Sequence, residues 1–291
     1  MRFTKMHGIG NDYVYVDCFA QRLDGVDLPE LARRISDRHR GVGSDGLILI
    51  CPSDRADAAM VMYNADGSRA EMCGNGIRCL AKYVYEHHLA GAAPERKAHS
   101  GDRPRITVAT DAGVLELDLL LDDRGRRVQS VRVDMGRPRL APDQIPTTLD
   151  GPTIADRPVT IAGRQYSITC VSMGNPHAVI FVDDLDSVDL AREGRAIEHA
   201  DIFPVRTNVH FVRVDTRSQM KMLAWERGSG ATLACGTGAC AACVAASITG
   251  RADRCVTVNL PGGALQIEFA DDDRVYMTGP AEEVFCGDWP L

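Results

Sequence analysis

The chain repeats itself once, and the repeat is marked by a cysteine at each of two helix starts. Cys73-Gly74-Asn75-Gly76 opens one apolar helical stretch and Cys235-Gly236-Thr237-Gly238 opens another. Asn11 precedes Cys73 by 62 residues and Asn175 precedes Cys235 by 60, while Asn64 and Glu226 each precede the cysteine of their half by 9. Gly10-Asn11 leads into Val14-Tyr15-Val16-Asp17, and Gly174-Asn175 leads into Ile180-Phe181-Val182-Asp183. One glycine-flanked cysteine arises easily as a tight turn. Two with matched upstream partners imply a duplicated fold whose halves offer equivalent helix starts to one shared cleft.

The rest of the chain fits that plan. Alternating or β-branched runs predict strands at 13–18, 46–51, 105–110, 114–121, 128–134, 178–182, 209–214, 221–225, 256–260 and 275–278. Helical periods are fewer, at 29–38, 77–88, 190–199 and 238–249. Many strands with few helices predict an α+β fold rather than a doubly wound parallel sheet. The last helix is apolar on every face, which marks an element enclosed by others. At 291 residues the chain can bury two cores. The expected division is 1–122, joined by a C-terminal strand within 273–291, and 123–272. Residues 138–158, rich in proline, threonine and aspartate, read as the connection, and 94–104 as an exposed loop.

Charge narrows the function classes. With 33 Lys and Arg against 40 Asp and Glu, net −7, neither a nucleic-acid backbone nor an anionic membrane is an expected partner. The opening MRFTKMHGIGNDYVYVD lacks a basic stretch followed by an apolar one, and no window reaches membrane-spanning length. A cytoplasmic protein acting on a small molecule is expected. Its 10 cysteines, scattered through a long chain, read as free thiols. Cys240-Ala-Ala-Cys243 has redox or zinc spacing but lies within the apolar helix, so it and Cys79 read as packing.

A helix start supplies unpaired N–H groups and the positive end of the macrodipole, which favour a bound carboxylate and a thiolate alike. Free cysteine titrates near 8.5, and a helix N-terminus can lower that value toward neutral pH. Two such sites can hold one α-carboxylate while a thiol faces each side of the α-carbon. Inverting that carbon needs a proton removed from one face and another delivered to the opposite face. Donors aimed at the carboxylate would stabilise the developing charge without a pyridoxal-type electron sink, and no motif for one is present.

HGIGNDYVYVD, NADGSRAEMCGNGIRC, SMGNPH, Thr207-Asn208, ERGSGATLACGTGAC, LPGG and YMTG together resemble the diaminopimelate epimerase family over nearly the whole chain. The resemblance implies two similar domains, each a curled, mostly antiparallel sheet or barrel around a central helix, with the site between them. It implies an isomerase that converts LL-2,6-diaminopimelate to the meso form for lysine and peptidoglycan precursor synthesis. No cofactor and no metal are implied. By motif, Cys73 and Cys235 become the acid and base, supported by His177 and Glu226. Asn11, Asn64, Gly74, Asn75, Asn175, Asn208, Glu226, Arg227, Gly236 and Thr237 become substrate contacts, and Tyr276 a residue of the expected homodimer. The chain has Gly46 where some members carry a glutamine among these contacts.

Arg227 can meet a carboxylate through two parallel hydrogen bonds and Glu226 can pair with an ammonium, as a substrate with two amino-acid heads requires. A racemase of proline or hydroxyproline would keep both cysteines without the distal clamp. A thiol redox or metal-binding protein would instead show bound zinc or a resting disulfide.

Overall fold

A computed structural model describes residues 1–89 and 104–291, so the loop expected at 94–104 lies, apart from Pro104, outside the described residues. Contacts divide the chain into two units, Met1–Val133 with Thr278–Leu291, and Asp134–Met277.

The first unit contains β1 (Arg2–Gly8), β2 (Asn11–Asp17), α1 (Leu28–Ser36), β3 (Gly46–Cys51), β4 (Ala58–Asn64), β5 (Arg69–Ala70), α2 (Gly74–Glu86), β6 (Arg105–Thr110), β7 (Gly113–Leu121) and β8 (Val128–Asp134). Pairing runs antiparallel β1 to β2, parallel β2 to β3, antiparallel β3 to β4, parallel β4 to β6, then antiparallel through β7 to β8. β5 pairs antiparallel with β4 as a short hairpin.

The second unit contains β9 (Arg157–Ile161), β10 (Arg164–Ser172), β11 (Pro176–Phe181), α3 (Leu190–Glu198), β12 (Asn208–Thr216), β13 (Gln219–Glu226), β14 (Gly230–Thr232), α4 (Gly236–Ile248), β15 (Cys255–Leu260), β16 (Gly263–Phe269) and β17 (Val275–Gly279). From β10 onward it copies the ladder: antiparallel to β11, parallel to β12, antiparallel to β13, then a β14 hairpin, a parallel step to β15 and an antiparallel one to β16. β17 leads back to the first unit, where β18 (Glu282–Asp288) pairs antiparallel with β1.

In each unit the outer helix and the central helix hold different roles. α1 begins at Asp27, whose carboxylate accepts from the Glu30 N–H, and packs Leu31, Ala32 and Ile35 against Val14, Val16, Leu47 and Leu49. α3 begins in the same way at Asp189, and buries Ile197 in a cluster with Ile180, Val209 and Phe211. α2 touches β1, β2, β4, β6 and β7, and α4 touches β10, β11, β12, β15 and β16, so each sheet curls around its central helix. α4 tolerates this enclosure because Ala239, Cys240, Ala241, Ala242, Cys243, Ala245 and Ala246 are all small and fully buried. α2 meets it differently. Fully buried Arg78 donates to Asn75 Oδ1 at 2.9 Å and to the Pro280 carbonyl at 3.2 Å, and Lys82 donates to Glu86 at 2.7 Å and the Val128 carbonyl at 2.8 Å. Buried cations are tolerated here because each is hydrogen-bonded.

All four predicted helices are present. Each predicted strand is present too, and further strands join them at β1, β4, β5, β9, β10, β14, β16 and β18. β4, Ala-Ala-Met-Val-Met-Tyr-Asn, has only Val61 and Tyr63 of the residue types usual in strands, and β10 buries Ser172 and Thr169 among its apolar positions. Residues 138–158 hold a single 3₁₀ turn at Pro142–Gln144 before β9 begins.

Candidate active site

The first half-site is set by a two-residue turn between β1 and β2. Gly8 pairs with Asn11, and Ile9 and Gly10 both have positive φ, 51° and 86°, the backbone of a tight type I′ hairpin. A β-branched residue held at positive φ is strained, and here it delivers Asn11 to the sulfur. Cys73 is the N-cap of α2 and accepts from the Gly76 N–H at 3.4 Å. Its thiol donates to Asn11 Oδ1 at 3.4 Å, and Asn11 Nδ2 donates in turn to Asp45 at 2.7 Å. Arg38 bridges Asp45 and Asp12, at 2.8 and 2.7 Å, and Lys5 also pairs with Asp12. Burial works to raise the Asp12 carboxyl, but Arg38 and Lys5 outweigh it and hold it below its ordinary range.

Around this core, Tyr13 is buried beside Cys73 and Asn11, and burial, then the thiol, then Asp45 push its phenol well above the usual value. Asn64 ends β4 and donates to Ser68 Oγ at 3.0 Å. Asn75 is buried, and its side-chain oxygen accepts from Arg78 at 2.9 Å. A side chain at Gly46 would place Cβ 2.2 Å from the Tyr63 carbonyl and 2.9 Å from the Tyr13 ring. A glutamine therefore has no room here without shifting the β3–β4 pair.

The second half-site has the same frame with different chemistry. Ser172 pairs with Pro176 across a three-residue loop whose Gly174 has φ 97°, and this loop presents Asn175. Cys235 is the buried N-cap of α4, and its sulfur lies 3.8 Å from Thr237 Oγ1. Asn175 Nδ2 donates to Thr237 Oγ1 at 3.3 Å, and Asn175 Oδ1 lies 2.9 Å from His177 Nε2. His177 Nδ1 is 2.8 Å from Nε2 of His210 on β12. Glu226 ends β13, accepts from Thr232 at 2.5 Å and stands beside the thiol.

The helix start was expected to lower the thiol value. Burial reverses this for Cys235: desolvation first, then the Glu226 charge, push the thiol well above its ordinary value, against the pull of the Gly238 N–H and the Thr237 hydroxyl. The fold around Cys235 thus favours the neutral thiol. Burial likewise raises Cys79 to about 11 and Cys243 to about 12, as suits packed thiols.

Asn208 and Arg227 complete the predicted set. Asn208 is buried; its oxygen accepts from the Arg227 N–H at 2.9 Å and its amide donates to the Pro176 carbonyl at 2.9 Å, which fixes the turn that carries Arg227. The exposed Arg227 guanidinium makes one bond among the described residues, to the Val205 carbonyl at 3.2 Å. Gly236 and Thr237 open α4, where the first N–H groups lack helical acceptors. Tyr276 lies on β17, partly exposed.

The strand registers align the halves residue by residue. Val14 pairs with Leu47 and Ala178 with Val209, so His177 stands where the first half has Tyr13, and His210 where it has Ile48. The second glycine of each turn makes room for that partner. A Cβ at Gly76 would come within 2.7 Å of Ile48, and one at Gly238 within 2.3 Å of His210. Sequence reading missed Tyr13 and His210. Extending the repeat two residues past Asn11 and Asn175 finds the first, whereas His210 sits in the apolar run Asn-Val-His-Phe-Val and reads as core.

His177, His210 and Cys235 bring three metal-ligating atoms within 4.8 Å of one another. Two nitrogens on one tetrahedral zinc stand about 3.3 Å apart, given Zn–N bonds of about 2.0–2.1 Å. The histidine nitrogens here are 2.8 Å apart, a hydrogen-bond distance. The cluster is built as a proton-sharing pair.

Both histidines are held neutral. Burial pushes His210 down to about 3, and burial, His210 and Arg227 push His177 well below its usual value. The unfolded chain takes up these protons near pH 6.5 while the folded chain refuses them, so stability is full above that pH and declines as pH falls toward 3. The expected slope is about 1.4 kcal/mol per pH unit for each histidine. Urea unfolding from pH 7 to pH 4 checks this, with a shallower decline expected for His210→Gln.

A family model described as diaminopimelate epimerase matches residues 3–141 and 169–284. The chain is 50% identical over 292 residues to the diaminopimelate epimerase of Moorella thermoacetica, covering 100% of both proteins. The chain belongs to the diaminopimelate epimerase family. A second member, from Pelotomaculum thermopropionicum, is 51% identical over 292 residues, covering 100% of this chain and 99% of that protein. Among solved structures, a probable proline racemase from Agrobacterium radiobacter shares the fold, with TM-score 0.69, 14% identity and coverage of 100% of this chain and 93% of that one. The family fold is thus the curled-sheet duplication described above. No helix among the described residues is long and apolar enough to cross a membrane.

Proposed function

We propose that the protein interconverts LL- and meso-2,6-diaminopimelate without a cofactor, with Cys73 and Cys235 as the two proton-transfer groups. The observation that carries the mechanism is the pair of equivalent cysteines, each the N-cap of the central helix of its own unit. The Cys73 thiol donates to Asn11, whose own amide donates onward to Asp45, while the sulfur accepts from the Gly76 N–H. In the other half Asn175 donates to Thr237, which leaves the Thr237 hydroxyl hydrogen free to point at Cys235. A two-base inversion needs one thiol and one thiolate, with the roles exchanged in reverse.

The helix-start N–H groups of Gly74, Asn75, Gly236 and Thr237 bind the reacting carboxylate and stabilise the charge that develops as the α-carbon ionises. Asn11, Asn64 and Asn175 line the substrate, and Asn208 acts by holding the Arg227 turn. Glu226 pairs with an ammonium group, which also quiets its repulsion of a Cys235 thiolate. Arg227 takes the distal carboxylate, and the absence of such a need in single-headed substrates favours diaminopimelate over proline. His177 supports Cys235 through Asn175. On the family resemblance, Tyr276 belongs to a homodimer interface, and the enzyme serves lysine and peptidoglycan precursor synthesis in the cytoplasm. The domains correspond to the two halves of the repeat, each carrying one cysteine.

Purified protein treated with a chelator and with no pyridoxal phosphate added is expected to convert LL-diaminopimelate to the meso form at full rate, read by chiral chromatography. Activity that requires a metal or pyridoxal phosphate would refute the proposal.

A further inference from the structure

His210 is fully buried on β12. Its Nε2 meets His177 Nδ1 at 2.8 Å, while its own Nδ1 is buried without a partner among the described residues. We propose that His210 is a positioning residue: its Nε2–H fixes His177 in the Nε2-protonated tautomer and so sets the direction of a hydrogen-bond chain that ends at Cys235. This inference rests on the two-cysteine reading above.

The direction follows from the contacts. His177 Nε2 faces Asn175 Oδ1, an oxygen that can only accept, so the proton of neutral His177 is on Nε2. Its Nδ1 must then accept, and His210 must donate from Nε2. The chain continues from Asn175 Nδ2 to Thr237 Oγ1 at 3.3 Å, and from the Thr237 hydroxyl toward Cys235 Sγ at 3.8 Å. Every donor up to Thr237 points toward the sulfur. Reversing the Asn175 amide would move the His177 proton to Nδ1 and force His210 to carry its own on Nδ1. That N–H would be buried with no acceptor, the costlier of the two orphans. The reversed amide would also claim the Thr237 hydrogen and remove it from Cys235.

The first half supplies the contrast. There Tyr13 and Ile48 hold the matching positions, and an isoleucine can fix nothing about its neighbour's protons. There the Cys73 thiol donates to Asn11 and its sulfur accepts from the Gly76 N–H. His210 thus builds into one half a polarity that the other lacks, and Gly238 is the residue whose missing side chain lets it lie under the helix start.

Glutamine and methionine have nearly the same shape, and only glutamine can place an N–H where His210 Nε2 stands. His210→Met is expected to lower kcat about tenfold, the loss of one net hydrogen bond, with KM within about twofold. His210→Gln is expected to stay within about threefold of the parent enzyme. Nitrogen-15 spectra of His177 in the unmodified protein give a readout independent of activity and of whether either variant folds, and are expected to show the proton on Nε2. A His177 proton on Nδ1, full kcat in His210→Met, or equal loss in both variants would overturn the assignment. Failure of the two-cysteine reading would register separately, as an active Cys235→Ala enzyme with the His177 tautomer unchanged.

Discussion

Cys73→Ala and Cys235→Ala are each expected to lower the rate of inversion by about 10²–10⁴-fold or more, the usual contribution of one positioned acid or base. Neither loss can be covered by the other thiol, because a group on one face of the α-carbon cannot deliver a proton to the opposite face. The two variants should differ in side effects. Cys73 caps α2 by accepting from Gly76, so its removal also costs helix stability, whereas Cys235 makes no side-chain cap bond at α4. Cys79→Ala, Cys240→Ala and Cys243→Ala remove buried packing thiols and are expected to lower stability by about 1 kcal/mol each, with turnover preserved. Steady-state assays and urea unfolding of the five variants separate the groups. Near-normal turnover in either catalytic variant would end the two-base account.

Arg227→Met is expected to reduce kcat/KM for diaminopimelate by about 10–100-fold, since a hydrogen bond to a charged group contributes about 1.5–3 kcal/mol. The guanidinium is exposed and spends one bond on the Val205 carbonyl, so most of its donors remain for a ligand. Its backbone is what the fold uses: the Arg227 N–H is held by Asn208, and that bond survives the substitution. Stability should therefore be nearly unchanged while affinity falls. Arg227→Lys is expected to recover only part of the loss, because an ammonium cannot form the paired geometry. Unchanged kcat/KM in Arg227→Met would remove the distal clamp and reopen a single-headed substrate.

The duplicated frame was legible because its signals are local and periodic. The Cys-Gly-X-Gly turns and the all-apolar helix at Gly236–Ile248 are read from a few adjacent residues. What escaped is what tertiary placement decides. β4 and β10 lie inside the ladder, β4 between β3 and β6 and β10 between β9 and β11, a placement that tertiary pairing decides. The thiol argument failed at Cys235 for the same reason. A helix start is visible in sequence, but full burial beside Glu226 is not, and burial is the larger effect. Asn208 reads as a ligand by motif, yet its side chain is spent on two backbone groups, and His210 reads as core although its ring ends a polar chain.

The asymmetry between the half-sites is the physical content of the account. Two copies of one fold carry equivalent cysteines, while their neighbours diverge to Tyr13 and Ile48 in one and His177 and His210 in the other. The most direct test is conversion of LL-diaminopimelate in deuterated water, stopped early, with deuterium measured in both product and recovered substrate. Two thiols predict meso product deuterated at the inverted α-carbon, because its new hydrogen comes from the second thiol, alongside recovered LL substrate that keeps its hydrogen. Product that retains the original α-hydrogen, or recovered substrate deuterated as fast as product forms, would contradict it.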